Sequence, residues 1–318
     1  MKAIVYERYG SPDVLELRDV EKPTVTDDGV LVRIRAASTN PYDWHFMRGK
    51  PYFTRLMFGL LKPKAHSLGA DLAGEVEAVG KDVTRFRPGD AVFGEGAGAF
   101  AEFACVPERW LARKPTNLTF EQAAAVPMAA VTALQGLRDK GGIAPGKKVL
   151  INGAGGGVGT FAVQIAKAFG AEVTAVCGPG SQDLARSLGA DRVLDYTKTD
   201  LAGDGRLYDL IYAVNGDRRP SDYLRALNPG GICVVCGGSN RQLFGSIFLG
   251  PTLSLGRRKK IRIQVARMNQ KDLAVMAELL VAGKVLSVID RRYPLSETAA
   301  AMRYLEEGHA KGKIVITM

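Results

Sequence analysis

The residues whose types and spacing point most directly to chemistry lie in Lys147–Cys177, KKVLINGAGGGVGTFAVQIAKAFGAEVTAVC. An apolar strand runs into a glycine cluster, the cluster opens an apolar helix, and a second strand follows. Gly156 lets the backbone approach a pyrophosphate, and Gly159 lets the helix pack tightly on the strand. The first helical N–H groups then face the phosphates. Strict G-x-G-x-x-G is not met, because aligning on Gly156 and Gly159 puts Ala154 at the first position. A glycine pattern alone is a weak signal. Its strand–turn–helix–strand context is what assigns the turn around Ala154, Gly155, Gly156 and Gly159 to a dinucleotide.

Cofactor choice depends on the end of the second strand, where a ribose-binding Asp or Glu is expected about 20 residues past the glycines. Cys177-Gly178-Pro179-Gly180-Ser181 holds no acid. Nothing near Cys177 or Ser181 would repel a 2′-phosphate, and no Arg or Lys precedes Arg186 to grip one. The expectation is NADP (NADPH), with NAD the lesser alternative.

Other reactive residues are few. Cys233-Val234-Val235-Cys236 has the C-x-x-C spacing, but it falls in a predicted strand, where residues three apart point to opposite faces. A redox pair gains its reactivity at a helix N-terminus, so two buried small side chains are expected. Four cysteines make no disulfide scaffold, and no secretory signal is visible, so a reducing cytoplasmic compartment is expected. Forty-three basic against 33 acidic residues give +10. That charge suits an anionic ligand or nucleic acid, but a soluble enzyme with a basic surface is the simpler and commoner reading. The run Arg257-Arg258-Lys259-Lys260 reads as a solvated loop.

The elements that must position these residues follow from periodicity. The first 110 residues are β-rich: Val30–Ala36 alternates apolar and charged residues, and Glu75–Val79 and Ala91–Phe93 are short strands between Gly/Pro turns. One helix is predicted over Phe120–Asp139, with Thr119 as N-cap. Strands at Lys148–Asn152, Glu172–Cys177, Arg192–Leu194, Leu207–Val214 and Ile232–Cys236 then alternate with helices at Val158–Phe169 and Gln182–Leu188. Such βαβ units predict a parallel sheet with helices on both faces. A helix at Asp272–Ala282, a strand-like SVIDRRYPL, a helix at Ser296–Glu307 and a strand at Lys313–Thr317 close the chain. Boundaries are expected near 120 and 285, so that residues 1–120 and 286–318 form one domain and residues 121–285 the other. No apolar stretch is long enough to span a bilayer.

The sequence resembles the medium-chain dehydrogenase/reductases, in particular their zinc-independent quinone oxidoreductase branch. The resemblance covers nearly the whole chain. It rests on AASTNPYD from Ala36, LGADLAGEVEAVGKDVTRFRPGD from Leu68, GAFAEFACVP from Gly98, AVPMAAVTALQGL from Ala125, the glycine turn, SLGADRVLDY from Ser187 and the closing KGKIVITM. It implies an α/β architecture: a GroES-like β-rich catalytic domain from both ends of the chain, a doubly wound Rossmann domain between, and a cleft. It also implies a nicotinamide cofactor and a homodimer. Carried over by motif, Asn40 and Thr132 belong near the nicotinamide, and Gly156, Gly157 and Val158 at the pyrophosphate. Tyr196 belongs at the adenosine phosphate, Gly237 and Gly238 beside the nicotinamide, and Lys313 near the cofactor or the closing cleft. The basic residue that NADP-using relatives carry around Ser181 or Gln182 is missing.

Zinc-dependent relatives hold a metal with a Cys in the first motif and a His-Glu pair in the second. Here those places read Asn40-Pro41 and Ala70-Asp71, and the three histidines are His45, His66 and His309. His45 and His66 could meet Asp71, but ordinary surface or cleft residues are the simpler reading, so no metal site is assigned. Without a Lewis acid, hydride transfer favours acceptors that delocalise the incoming charge, such as quinones and α,β-unsaturated carbonyls (enones). Tyr52 is the proton-donor candidate, because quinone reductases carry Gly-x-Tyr after the first motif; here Gly49-Lys50-Pro51-Tyr52 has one residue more. A structural Tyr52 is the simpler reading, and water could protonate the product instead. Asp43 and Trp44 are alternative donors, with Asp43 more simply a turn or capping residue and Trp44 a wall of the cleft. Phe53–Leu61 fits an acceptor channel or a helix packed on the core, and Leu243–Leu255 fits a pocket wall or a dimer contact. The competing functions are a zinc-independent alcohol dehydrogenase and a non-catalytic redox sensor or nucleic-acid binder. No RNA-binding aromatic signature or recognition helix supports the last.

Overall fold

A computed structural model describes residues 1–52, 55–198, 201, 205–250 and 258–318. Strands β1 (Lys2–Val5), β2 (Glu16–Asp19), β3 (Gly29–Ser38), β4 (Asp71–Val79), β5 (Ala91–Glu95), β6 (Phe103–Pro107) and β7 (Leu111–Arg113) come first. Then follow β8 (Lys148–Asn152), β9 (Glu172–Cys177), β10 (Arg192–Asp195), β11 (Tyr208–Ala213), β12 (Leu227–Val235) and β13 (Lys260–Ile263). The chain ends with β14 (Ile289–Pro294) and β15 (Lys313–Thr317). Helices are α1 (Pro41–Arg48), α2 (Arg55–Phe58), α3 (Phe120–Ala124), α4 (Pro127–Gln135) and α5 (Gly157–Ala168). They continue with α6 (Gln182–Ser187), α7 (Pro220–Ala226), α8 (Asn240–Phe248), α9 (Gln270–Val281) and α10 (Thr298–Glu306).

The chain forms two compact units: Met1–Ala129 with Met268–Val281 and Ser287–Met318, and Ala130–Arg267 with Ala282–Leu286. Helices α3 and α9 lie in the first unit, whereas the sequence reading puts both in the second domain.

In the first unit the sheet order is β14-β15-β3-β4-β5-β7, with β6 also paired to β3. Strand β3 is central, so its ends are buried on both faces, and only Arg33 and Arg35 reach solvent. They meet Glu77 and Glu75 on β4, each at 2.8 Å. Val32, Ile34, Leu72, Phe100 and Ile314 share the core beneath.

The single helix predicted over Phe120–Asp139 is instead α3, α4 and a π-helical turn at Gly136–Lys140. Pro127 explains the break, because proline has no N–H to give to the preceding turn and its ring clashes with that turn's carbonyl. Thr119 caps as expected. Its hydroxyl accepts the Gln122 N–H at 3.2 Å, and the Gln122 side chain accepts the Thr119 N–H at 2.9 Å.

The second unit holds a parallel sheet in the order β10-β9-β8-β11-β12-β13. The chain runs outward from β8 to β10, then returns to β11 on the other side of β8. The reversal opens a crevice at the carboxyl ends of β8 and β11, where dinucleotides bind in sheets of this kind. Strands covered on both faces read as unbroken apolar runs, as in Val149-Leu150-Ile151.

Cys233 lies within β12 and Cys236 just past its end, and both are free thiols. Burial pushes both thiols up, Cys236 to about 11, so they stay protonated. In the basic run, Arg258 is exposed and Lys260 opens the edge strand β13, while Arg257 lies outside the described residues. Of Phe53–Leu61, Phe53 and Thr54 also lie outside; α2 forms one turn, and Leu56, Leu60 and Leu61 are exposed. Of Leu243–Leu255, residues through Phe248 belong to α8, and 251–255 are not described. Among the described residues no helix is long and apolar enough to cross a membrane.

Candidate cofactor and active sites

In the second unit, the turn between β8 and α5 divides its work among four glycines. Gly153 takes the left-handed conformation, φ +91°, and its N–H and that of Ala154 both donate to the Val176 carbonyl at 3.0 Å. The tight-turn role thus falls on Gly153, one residue before the alignment position, which lets the Ala154 methyl be buried. A Cβ on Gly155 would stand 2.6 Å from Ser181, and one on Gly159 would stand 2.0 Å from the Gly153 carbonyl oxygen. A Cβ on Gly156 would meet nothing within 4 Å. Gly156 therefore faces open space at the N-terminus of a 12-residue helix, where the N–H groups of Gly157, Val158 and Gly159 lack intrahelical partners. This cradle fits a pyrophosphate.

Past β9, Ser181 lies against Gly155, and the Tyr196 ring lies against Gly178, 3.3 Å from a Cβ built there. The sequence reading finds no acid at this strand end, but the sheet supplies one from next door. Asp195 is in register with Cys177. Its carboxylate accepts the Thr197 N–H at 2.9 Å, the Thr197 hydroxyl at 2.6 Å and the Gln182 amide at 3.2 Å. These donors hold its pKa below the ordinary range. Arg186 is engaged by Asp183 at 2.7 Å and by Gln182 at 3.3 Å.

At the ends of β8 and β12 a buried network holds the loop carrying Gly237 and Gly238. The Gln242 amide donates to the Gly237 carbonyl at 2.7 Å, and its oxygen accepts the Tyr223 hydroxyl at 2.7 Å. Asn152 donates to Tyr223 at 2.9 Å and to the Asn215 carbonyl at 2.8 Å. Sequence reasoning missed all three side chains; the available signal was Gln242, a lone amide in an apolar run. The Thr132 carbonyl is pinned by Tyr212 at 3.0 Å and Gln264 at 2.7 Å.

In the first unit, four strands bring their ends into one row. Val315 pairs with Ser38, Ser38 with Asp71, and Asp71 with Glu95. Directly paired residues share a face, and Lys313, two residues from Val315, points the same way. Asp71 is the hub. Its Oδ2 accepts the Ser38 hydroxyl at 2.9 Å, the Asn40 amide at 3.0 Å and Lys313 Nζ at 3.2 Å, while Oδ1 accepts the Met128 N–H at 2.9 Å. Lys313 also donates to the Asn40 side-chain oxygen at 2.6 Å and to the Thr39 carbonyl at 3.1 Å. The amide of Asn40 is thereby fixed at both ends. Beside it, the buried Thr39 hydroxyl has no partner among the described residues.

Asp43 accepts the Asn40 N–H at 2.8 Å and the Gly69 N–H at 3.2 Å, so it caps α1. Burial pushes its carboxyl up to about 7, and the Asp71 charge adds to the shift. Trp44 Nε1 donates to Glu306, which also holds Arg48 at 2.6 and 2.8 Å and ties α1 to α10. The Tyr52 ring is 66% exposed and lies on the Arg55 guanidinium, 5.0 Å away. His45 and His66 are exposed, with ring nitrogens against the Lys50 and Tyr6 carbonyls. Neither is brought to Asp71.

Two family models match the chain: an alcohol dehydrogenase GroES-like domain over residues 26–116 and a zinc-binding dehydrogenase over residues 188–316. The 2-methylene-furan-3-one reductase of Solanum lycopersicum is 36% identical over 331 residues, covering 99% of this chain and 79% of that one. The chain belongs to the medium-chain dehydrogenase/reductase superfamily, as a quinone-oxidoreductase-like member. The NADPH-dependent alkenal/one oxidoreductase of Arabidopsis thaliana is 34% identical, with the same 99% and 79% coverage. The solved quinone oxidoreductase of Coxiella burnetii superposes with a TM-score of 0.89 at 28% identity, covering 100% of this chain and 99% of that one.

A zinc-binding description raises the question of whether this donor set fits the ion. It does not. The places of the metal ligands hold an amide committed at both ends, the Ala70 methyl, and a carboxylate saturated by four donors, one of them the Lys313 ammonium. Tetrahedral zinc takes thiolate, imidazole or free carboxylate ligands. An ammonium in contact with Asp71 already neutralises its charge.

Proposed function

We propose that the protein is an NADPH-dependent reductase of quinones and α,β-unsaturated carbonyls that works without zinc. The observation that carries this reading is the Lys313–Asp71–Asn40 cluster, which puts a hydrogen-bonded ion pair where zinc-dependent relatives hold their metal. Without a Lewis acid, the acceptor itself must spread the incoming charge, as quinones and enones do. The names of the two relatives, an enone reductase and an NADPH-dependent alkenal/one oxidoreductase, support the same substrate class.

The cofactor supplies hydride. The residues positioned to hold it are Gly156, Gly157 and Val158 at the pyrophosphate, and Ser181 and Tyr196 at the adenosine end. Thr132, Gly237 and Gly238 serve the nicotinamide end. NADPH is favoured over NADH because residues 178–181 hold no acid and the Asp195 carboxylate is turned into its own hydrogen bonds. Asn40, with its amide locked by Lys313 and Asp71, presents a fixed polar surface to the acceptor.

The test is an acceptor panel of quinones, enones and simple alcohols, run with NADPH and NADH, with and without chelator. Chelator-resistant enone or quinone reduction with NADPH is expected. Alcohol oxidation without enone reduction, or loss of activity on chelation, would overturn the reading.

A further inference from the structure

The row of strand ends contains one acid that the site has not yet used. Glu95 closes β5 directly opposite Asp71, on the same face as Ser38 and Lys313. Asp71 is saturated by donors and Asp43 is committed to two backbone N–H groups. The Glu95 carboxyl is half-buried and is taken up by no donor among the described residues. In this row it is the acid whose proton and lone pairs are all uncommitted.

We infer that Glu95 is the proton donor of the reductase, delivering its proton to the carbonyl oxygen of the acceptor as hydride arrives. This rests on the quinone and enone reading above. In an enone, hydride adds to the β-carbon and the C=C pair moves to join the α-carbon to the carbonyl carbon. The carbonyl π pair moves onto oxygen, which takes the Glu95 proton. The product is an enol, which tautomerises to the saturated ketone in water. Glu95 is left as a carboxylate and regains its proton from solvent. A quinone takes hydride and proton in the same way and leaves as the hydroquinone.

The surroundings keep the acid loaded. Asp71 faces Glu95 from β4, and Tyr42 on α1 is near enough for the Glu95 charge to help raise its phenol, after burial and Asp43. Lys313 is directed at Asp71 and Asn40, while Arg113 on β7 pairs with Asp90 at the far end of β5. Burial, with the Asp71 charge added, pushes the Glu95 carboxyl up to about 7, so a large fraction is protonated at neutral pH. Tyr52, which the sequence reading nominates for this role, lies largely exposed on Arg55.

The test compares wild type with Glu95→Gln, Glu95→Asp and Tyr52→Phe, using NADPH and an enone that wild type reduces. The single-turnover rate of hydride transfer is followed from pH 5 to 9. In wild type the rate should fall above about pH 7 with a one-proton slope. Glu95→Gln should lose that limb and about 10²-fold in rate, with the fold retained and NADPH affinity unchanged. Glu95→Asp should keep a limb, and Tyr52→Phe should behave as wild type. Independently of turnover, infrared titration of protein carrying isotope-labelled glutamate, without cofactor, should show a glutamic carboxyl band with a midpoint near 7 that Glu95→Gln removes and to which the Asp43 carboxyl does not contribute. Any of three results overturns the assignment: a Glu95→Gln rate profile matching wild type, no such band, or a limb lost in Tyr52→Phe instead. A wild type inert toward every acceptor overturns the functional reading itself, and the infrared titration still reports on the carboxyl.

Discussion

Two neighbouring glycines separate binding from folding at the level of single residues. A side chain on Gly156 projects into open space, whereas one on Gly159 strikes the Gly153 carbonyl oxygen. Gly156→Val should therefore leave the melting temperature nearly unchanged and abolish measurable NADPH binding by calorimetry. Each lost charged hydrogen bond to the phosphates is worth roughly 1.5–3 kcal/mol. Gly159→Ala should instead destabilise the fold. Normal NADPH affinity in a folded Gly156→Val protein would show that the cofactor does not lie on this turn. Asp43 carries a second residue-scale expectation. Its folded-state carboxyl sits near 7 against an ordinary 3.8, so between those values the folded state holds a proton that the unfolded state has released. Stability is then greatest at low pH and falls as pH rises from about 4 to 7, on the order of 4 kcal/mol for this group. Denaturant midpoints measured across that range should flatten in Asp43→Asn, whichever way its absolute stability moves. An unchanged slope would assign the titration to other groups.

The elements show which parts of the fold were legible in the chain and which were not. The Lys148–Cys177 segment was readable because strand, turn and helix are contiguous, each with its own local signal. The row Lys313–Ser38–Asp71–Glu95 was not, because its members come from four strands, and Lys313 and Asp71 are 242 residues apart. Asp71 is noticeable in the sequence only as a departure from a His-Glu pair, and Glu95 only as one acid in a glycine-rich run. The carboxylate beside Cys177 was hidden for the same reason: Asp195 is distant along the chain and adjacent only through sheet pairing. The Asn152–Tyr223–Gln242 network is likewise non-local, joining β8, α7 and α8. Tyr223→Phe removes the hydroxyl that both accepts from Asn152 and donates to Gln242. With two buried groups left short of a partner, about 1–3 kcal/mol of stability should be lost. Because Gln242 anchors the Gly237 carbonyl, NADPH affinity should also weaken, by about tenfold or ~1.4 kcal/mol. Urea denaturation and cofactor titration on the same variant check both. A loss of stability with unaltered affinity would show that the loop keeps its place without the network.

At the scale of the whole molecule, a formal charge of +10 draws anionic nucleotides in general. Such attraction acts on NADH and NADPH alike and weakens with salt over a Debye length of ~8 Å at physiological strength. Choice between them must come from the few groups around the 2′ position. There the residues after β9 are small and uncharged, Asp195 is satisfied by Thr197 and Gln182, and Arg186 is engaged by Asp183. On the proposed assignment a 2′-phosphate would meet no opposing free carboxylate among the described residues, and little to hold it beyond Ser181 and the exposed Tyr196. The preference for NADPH should therefore be modest, about 10–100-fold in kcat/KM or ~1.4–2.8 kcal/mol. Gly180 is exposed at the end of this strand, so an acid placed there adds a carboxylate without disturbing the core. At 4 Å and an effective dielectric of 20, its repulsion of a phosphate charge is on the order of 4 kcal/mol, and screening at the surface reduces that figure. Gly180→Asp should thus erase the preference while leaving kcat/KM for NADH nearly unchanged. The ratio of kcat/KM for the two cofactors, taken at two salt concentrations in wild type and variant, separates local repulsion from the general field. A wild type that prefers NADH would overturn the cofactor assignment, and an unaltered ratio in Gly180→Asp would place the 2′-phosphate elsewhere on the unit.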